Sequence, residues 1–65
     1  MRELKKELWP HKVTVPIPED NRIEKWLDLN MGPYKGRWNL VENFRTADYY
    51  FRTSGDAVLF GLKWL

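Results

Sequence analysis

The side chains that ordinarily carry catalysis are few in this chain and poorly spaced for it. His11 is the single histidine and there is no cysteine, so thiol nucleophiles, cysteine-ligated zinc, iron–sulfur clusters and a disulfide framework are excluded together. A catalytic triad or a zinc site needs partners for His11 that the sequence does not supply. His11 therefore reads as a surface residue beside a strand. Glu24 and Asp28 stand four apart, a spacing that puts two carboxylates on one helical face, but the surrounding pattern turns that face to water, which screens both. Ser54-Gly55 lacks the setting of a nucleophile elbow, because Asp56 follows and no histidine comes later. The loop Gly32-Pro33-Tyr34-Lys35-Gly36-Arg37 holds glycines and cations, yet it follows a helix and precedes a strand, the reverse of the order used by phosphate-cradling loops. These spacings predict a protein that is not an enzyme, with no metal, no cofactor and no small-molecule substrate.

Binding chemistry is what remains, and the aromatic residues carry most of it. In Tyr49-Tyr50-Phe51 strand alternation sends Tyr50 to one side and Tyr49 and Phe51 to the other, so at least one ring is offered to the open face of a sheet. Tyr49 and Phe51, with Trp38, are candidates for stacking on bases at ~1–3 kcal/mol each or for anchoring a protein interface. They serve equally well as core. Lys35, Arg37, Arg45 and Arg52 are the cations that could hold phosphates beside them.

Size bounds both readings. The chain has 65 residues, 43% hydrophobic, 31% charged and 15% aromatic. A chain of this length hides only about 60% of the surface its unfolded form exposes, so four Trp, three Tyr and three Phe must supply most of the buried area. A deep enclosed active site has no room, and large enzyme folds are excluded. The net charge is +2 with the signs interspersed, less basic than strong polyanion binders. The longest apolar run, Ala57 to Phe60, is far below the roughly 20 residues that cross a bilayer, and Met1 to Leu8 alternates charges where a signal peptide would be apolar. With no cysteine, the expected setting is the cytoplasm, with no membrane as partner.

The elements that must position these residues follow from periodicity. Residues 1–10 read as an N-terminal arm whose apolar end, Leu8-Trp9-Pro10, packs on a single domain spanning 11–65. Val13, Val15 and Ile17 alternate with Lys12, Thr14 and Pro16, predicting a half-buried strand over His11–Ile17, and the prolines place it at a sheet edge. Asn21 with Glu24 predicts a helix start, Ile23, Trp26, Leu27 and Met31 its apolar stripe, and Gly32-Pro33 its end. Trp38 to Phe44 reads as a second strand, a turn falls at Arg45–Ala47, and Asp48–Arg52 reads as a third strand in a hairpin. Thr53 with Asp56 repeats the capping spacing and favours a second helix over a fourth strand for 57–65. The order is β-α-β-β-α, an α+β two-layer sandwich with both helices on one face of a three-stranded sheet. Trp26, Phe60 and Trp64 are expected to lie together beneath it.

The passage from Tyr49 to Phe60 resembles the junction between third strand and second helix in ferredoxin-like domains, of which RNA-recognition motifs are the best-known members. That resemblance implies a truncated ferredoxin-like sheet in which β1 pairs with β3 and, without a fourth strand, keeps its other side free. Trp9-Pro10, Gly32-Pro33 and the stretch Asp56 to Trp64 also resemble small bacteriophage proteins, which implies a host-cytoplasm setting and the role of a virion or assembly component. Two functions are expected from these readings. The first is docking on a larger protein or on a second copy through the edge residues Lys12, Val13, Thr14 and Val15 and the aromatic open face of the sheet. The second is single-stranded RNA or DNA binding by Tyr49, Phe51 and Trp38 with Lys35, Arg37, Arg45 and Arg52.

Overall fold

A computed structural model describes residues 7–65 and gives β1 (His11–Pro16), α1 (Arg22–Met31), β2 (Trp38–Glu42), β3 (Thr46–Phe51) and α2 (Ser54–Trp64) in that order. Of the expected arm over residues 1–10, residues 1–6 lie outside the described residues; in the remainder Trp9 is buried and Leu8 exposed. The sheet is antiparallel, with β3 in the centre and the order β1-β3-β2. The fold is therefore α+β with a small sheet, and β1 pairs with β3 as expected.

Alternation fixes which residues reach the core. In β3, Ala47, Tyr49 and Phe51 are buried while Thr46, Asp48 and Tyr50 are half-buried on the opposite face. Opposite them, Val13 and Val15 of β1 and Trp38 and Leu40 of β2 share the inward face. Ile23, Leu27 and Met31 of α1 and Phe60 of α2 close over it, so one sheet face is covered by both helices and the other is open. Phe60 is the hub: its ring lies 4.9 Å from Tyr49, 5.2 Å from Phe51, 6.2 Å from Trp26 and 6.5 Å from Trp64. Trp26, Phe60 and Trp64 thus form the expected cluster beneath the sheet, Trp26 and Trp64 meeting edge-on at 6.2 Å.

The helix ends show which local signals the chain obeys. Thr53 Oγ1 accepts from the Asp56 amide at 3.3 Å, satisfying one of the orphan donors of the first turn, and Asp56 and Lys63 complement the dipole of α2 at its two ends. Replacing Thr53 by Ala is expected to lower stability by about 1 kcal/mol, read as a shifted midpoint in urea with an unchanged slope. At α1 the expected Asn21 side-chain cap is absent, and Asp20 takes its place. Its carboxylate accepts from the Arg22 amide at 3.1 Å and from the Arg22 guanidinium at 2.9 and 3.1 Å. Those hydrogen bonds hold the Asp20 carboxyl below its ordinary range. Gly32 ends α1 at φ 93°, its amide shared between Leu27 and Asp28 carbonyls, a conformation that only glycine enters without strain. The Trp38 indole then donates to the Gly32 carbonyl at 2.9 Å, tying the end of α1 to the start of β2.

The hairpin is tighter than alternation suggested. The Asn43 amide donates to the Thr46 carbonyl at 2.7 Å, leaving Phe44 and Arg45 as a two-residue turn between β2 and β3. Phe44, read as a strand residue, is 88% exposed at the tip. β1 likewise ends at Pro16, one residue before its expected limit.

Candidate docking edge and its surroundings

The two edges of the sheet differ, and hydrogen-bond parity shows how. The Ile17 amide donates to the Arg45 carbonyl at 3.2 Å, so along the β1–β3 register the hydrogen-bonded pairs are Val15–Ala47, Val13–Tyr49 and His11–Phe51. The backbone groups of Lys12 and Thr14 must then point away from the sheet. Pro16 also faces outward but has no amide to offer. Among the described residues nothing bonds the outward amides and carbonyls of Lys12 and Thr14, which is a two-residue template for another strand.

At the other edge two of the corresponding groups are occupied. The Asn43–Thr46 pair sets the parity of β2, so Trp38, Leu40 and Glu42 point outward. The Trp38 carbonyl accepts from the Lys35 amide at 2.9 Å, and the Leu40 amide donates to Asn39 Oδ1 at 2.8 Å. Lys35 reaches that position with φ 71°, a left-handed conformation uncommon outside glycine. Among the described residues β2 is blunted at Trp38 and Leu40, while Lys12 and Thr14 of β1 keep all four outward groups unpaired.

Beside the open edge stands an apolar helix flank. α2 packs over β1 and β3. Asp56 is paired with Arg37 at 2.7 Å and Phe60 meets Trp26 of α1, so this side of the helix is turned toward β2 and α1. At 100° per residue the opposite flank carries Val58 and Leu65 with Leu62 at its crest, and they are 60%, 79% and 80% exposed. A helix apolar on both its sides is ordinarily buried on both. This stripe lies on the side of α2 turned away from Arg37 and Trp26, and the sequence pattern set the three residues beside the core face without showing that they stay exposed. The signal that finds them is a helix with too few polar residues to cover its outer face.

The open sheet face is mostly polar and carries one aromatic ring. Thr14 Oγ1 donates to Asp48 at 2.7 Å, and Asn43 Nδ2 donates to Asp48 and to Thr46, both at 3.1 Å. Partial burial pushes the Asp48 carboxyl up, but the Thr14 and Asn43 hydrogen bonds outweigh it and the net displacement is downward. Tyr50 is the ring on this face, between Lys12 and Asn39. Tyr49, Phe51 and Trp38, the expected stacking residues, are instead buried against the helices, because the helices cover the face on which alternation places all three.

The expected phosphate-holding cations divide between two ends. Lys35, Arg37 and Arg52 gather at one, where Arg52 donates to the Gly36 carbonyl at 2.8 Å and lies 4.2 Å over the buried Trp9 ring, and Arg37 is committed to Asp56. Arg45 stands over Phe44 at the hairpin tip, seven residues along β3 and about 23 Å away at ~3.3 Å per residue. No continuous cationic track joins them along the strand. A shallow depression of about 290 Å³ lies between Asn21, Glu24, Lys25, Asp28, Tyr34 and Trp38, with His11 not among its walls. His11 is half-buried at the start of β1. Among the described residues no helix is long and apolar enough to cross a membrane, and no three His, Asp or Glu side chains gather where a metal could sit.

No protein-family model, curated protein or solved structure matches this chain.

Proposed function

We propose that this chain is a small non-enzymatic module that binds protein by strand addition along β1. The observation that carries the reading is the contrast between edges: β2 has its Trp38 carbonyl and Leu40 amide tied up, while Lys12 and Thr14 of β1 present all their outward groups unpaired among the described residues. An added strand gains main-chain hydrogen bonds from these two positions and side-chain contact from the α2 flank above them, the combination that strand-adding modules use for affinity and selectivity. Its neighbours on the inward side would lie under Val58 and Leu65. The resemblance to ferredoxin-like domains supports the same edge, and the resemblance to small bacteriophage proteins would place the partner in a host cytoplasm. Single-stranded nucleic acid is disfavoured, because the rings it would stack on are in the core.

The chain is short enough for total synthesis, which permits a clean test. Peptides selected from a library of extended segments are expected to shift the Lys12 and Thr14 amide resonances and the Val58 and Leu62 methyls. A synthetic chain N-methylated at Thr14 is expected to lose that binding while keeping its fold. Selected peptides that shift instead the Lys35–Arg37 loop, or that bind the N-methylated chain equally well, would end the proposal.

A further inference from the structure

Resting on that reading, we infer that the partner strand is β1 of a second copy, giving a twofold dimer with a continuous six-stranded sheet. β1 can pair antiparallel with itself in three nearby registers, and its residues distinguish them. With Lys12 opposite Lys12 of the copy, like charges meet directly, which is unfavourable. With Thr14 opposite Thr14, Lys12 faces Pro16, whose missing amide leaves the Lys12 carbonyl unpaired on both strands. With Val13 opposite Val13, the outward amide and carbonyl of Lys12 pair with those of Thr14 on the copy, and Thr14 with Lys12. All eight groups are used. Pro16 then falls opposite Pro10, so both ends of the new ladder stop at residues that have no amide to leave unsatisfied.

Charge and helix spacing agree with the same register. Each Lys12 lies next to the Thr14 of the other copy, whose hydroxyl is bonded to Asp48, so a cation of one chain meets the carboxylate corner of the other. α2 sits above β1 and β3; with strands ~4.8 Å apart, the two α2 axes fall about 10 Å from one another across the dyad, within the usual range of packed helices. α2 begins at the His11 end of the sheet, and two strand residues span about as far as four helical ones. Val58 is therefore roughly level with Val13, on the axis, and Gly61 on the same flank lets the helices approach. The exposed Val58, with Gly61 beside it, becomes the point at which the two helices meet.

Because the chain has no cysteine, a single introduced one reports the register. Opposed residues at a pair without mutual hydrogen bonds have Cα atoms ~4.5 Å apart, within disulfide reach. Sedimentation equilibrium from micromolar to millimolar protein is expected to show mass rising to twice 7.9 kDa, and air oxidation is expected to cross-link Val13→Cys at least tenfold faster than Lys12→Cys or Thr14→Cys. Val58→Lys, at an exposed helical position where Lys is a better helix former than Val, is expected to stay monomeric with its fold intact. A monomer at every concentration, or a dimer that survives Val58→Lys and cross-links through another position, overturns the second-copy inference. If the wild-type chain stays monomeric while library peptides still shift Lys12 and Thr14, only the dimer falls; if neither occurs, strand addition at β1 falls with it.

Discussion

Phe60→Ala is expected to lower stability by about 3–5 kcal/mol, the range for deleting a buried phenyl ring. Phe60 is fully enclosed and its ring meets Tyr49, Phe51, Trp26 and Trp64, so truncation leaves a cavity bounded by both helices and the central strand at once. A chain of 65 residues has on the order of 3–10 kcal/mol in total at ~0.05–0.15 kcal/mol per residue. The variant should therefore be partly or wholly unfolded at ambient temperature, visible as red-shifted tryptophan emission and a lost urea baseline. Phe44→Ala makes the same chemical change at the exposed hairpin tip and should move stability by less than about 0.5 kcal/mol. Similar losses for the two variants would contradict the placement of the core.

A second large effect is expected at high pH. Burial, with smaller contributions from Glu24 and Glu42, raises the Tyr49 hydroxyl to about 12 from an ordinary 10.0. The native state then holds a proton that the unfolded chain has already released, so stability is intact below pH 10 and falls as pH rises from 10 toward 12. Two pH units correspond to a loss on the order of 3 kcal/mol. Tyr49→Phe removes the ionising group, and its denaturation midpoint should fall less steeply over this window than that of the parent chain. Parallel curves for the two proteins would show that the Tyr49 hydroxyl is not held in a drier site than the unfolded chain offers.

What could be read from the sequence was whatever a short-range rule controls. The alternation of Val13 and Val15, the Thr53–Asp56 capping pair and the Gly32-Pro33 stop each depend on neighbours within a few residues, and each element lies where these signals put it, to within a residue or two. The hairpin was displaced because Phe44 and Arg45 form its turn without the Gly or Asn that usually marks one. Asp20 displaced Asn21 as the acceptor at α1 because both are adjacent acceptors, and only the Arg22 side chain, reaching back to the same carboxylate, decides between them.

The site was harder to read, for a reason of geometry. Alternation says that Tyr49 and Phe51 share a face and Tyr50 takes the other, but not which of the two the helices cover; that depends on long-range packing around Phe60. That β1 lies at an edge was legible from its prolines; that of the expected Lys12, Val13, Thr14 and Val15 only Lys12 and Thr14 turn their backbone outward depends on the register with β3. That Lys35 and Asn39 partly occupy the opposite edge was not legible, since neither contact follows from local spacing. The Val58, Leu62 and Leu65 flank was legible in principle as excess apolarity on α2, though it becomes meaningful only when Arg37 and Trp26 fix the helix rotation.

Amide hydrogen exchange along β1 tests the account most directly. In dilute protein Val13 and Val15 should exchange slowly and Lys12 and Thr14 rapidly, an alternation set by which groups face β3. Raising the protein concentration, or adding a selected peptide, should slow Lys12 and Thr14 while Trp38 and Glu42 at the far edge are unchanged. Slow exchange of Lys12 and Thr14 already in the dilute chain, or fast exchange under every condition, would contradict an open edge that works by accepting a strand.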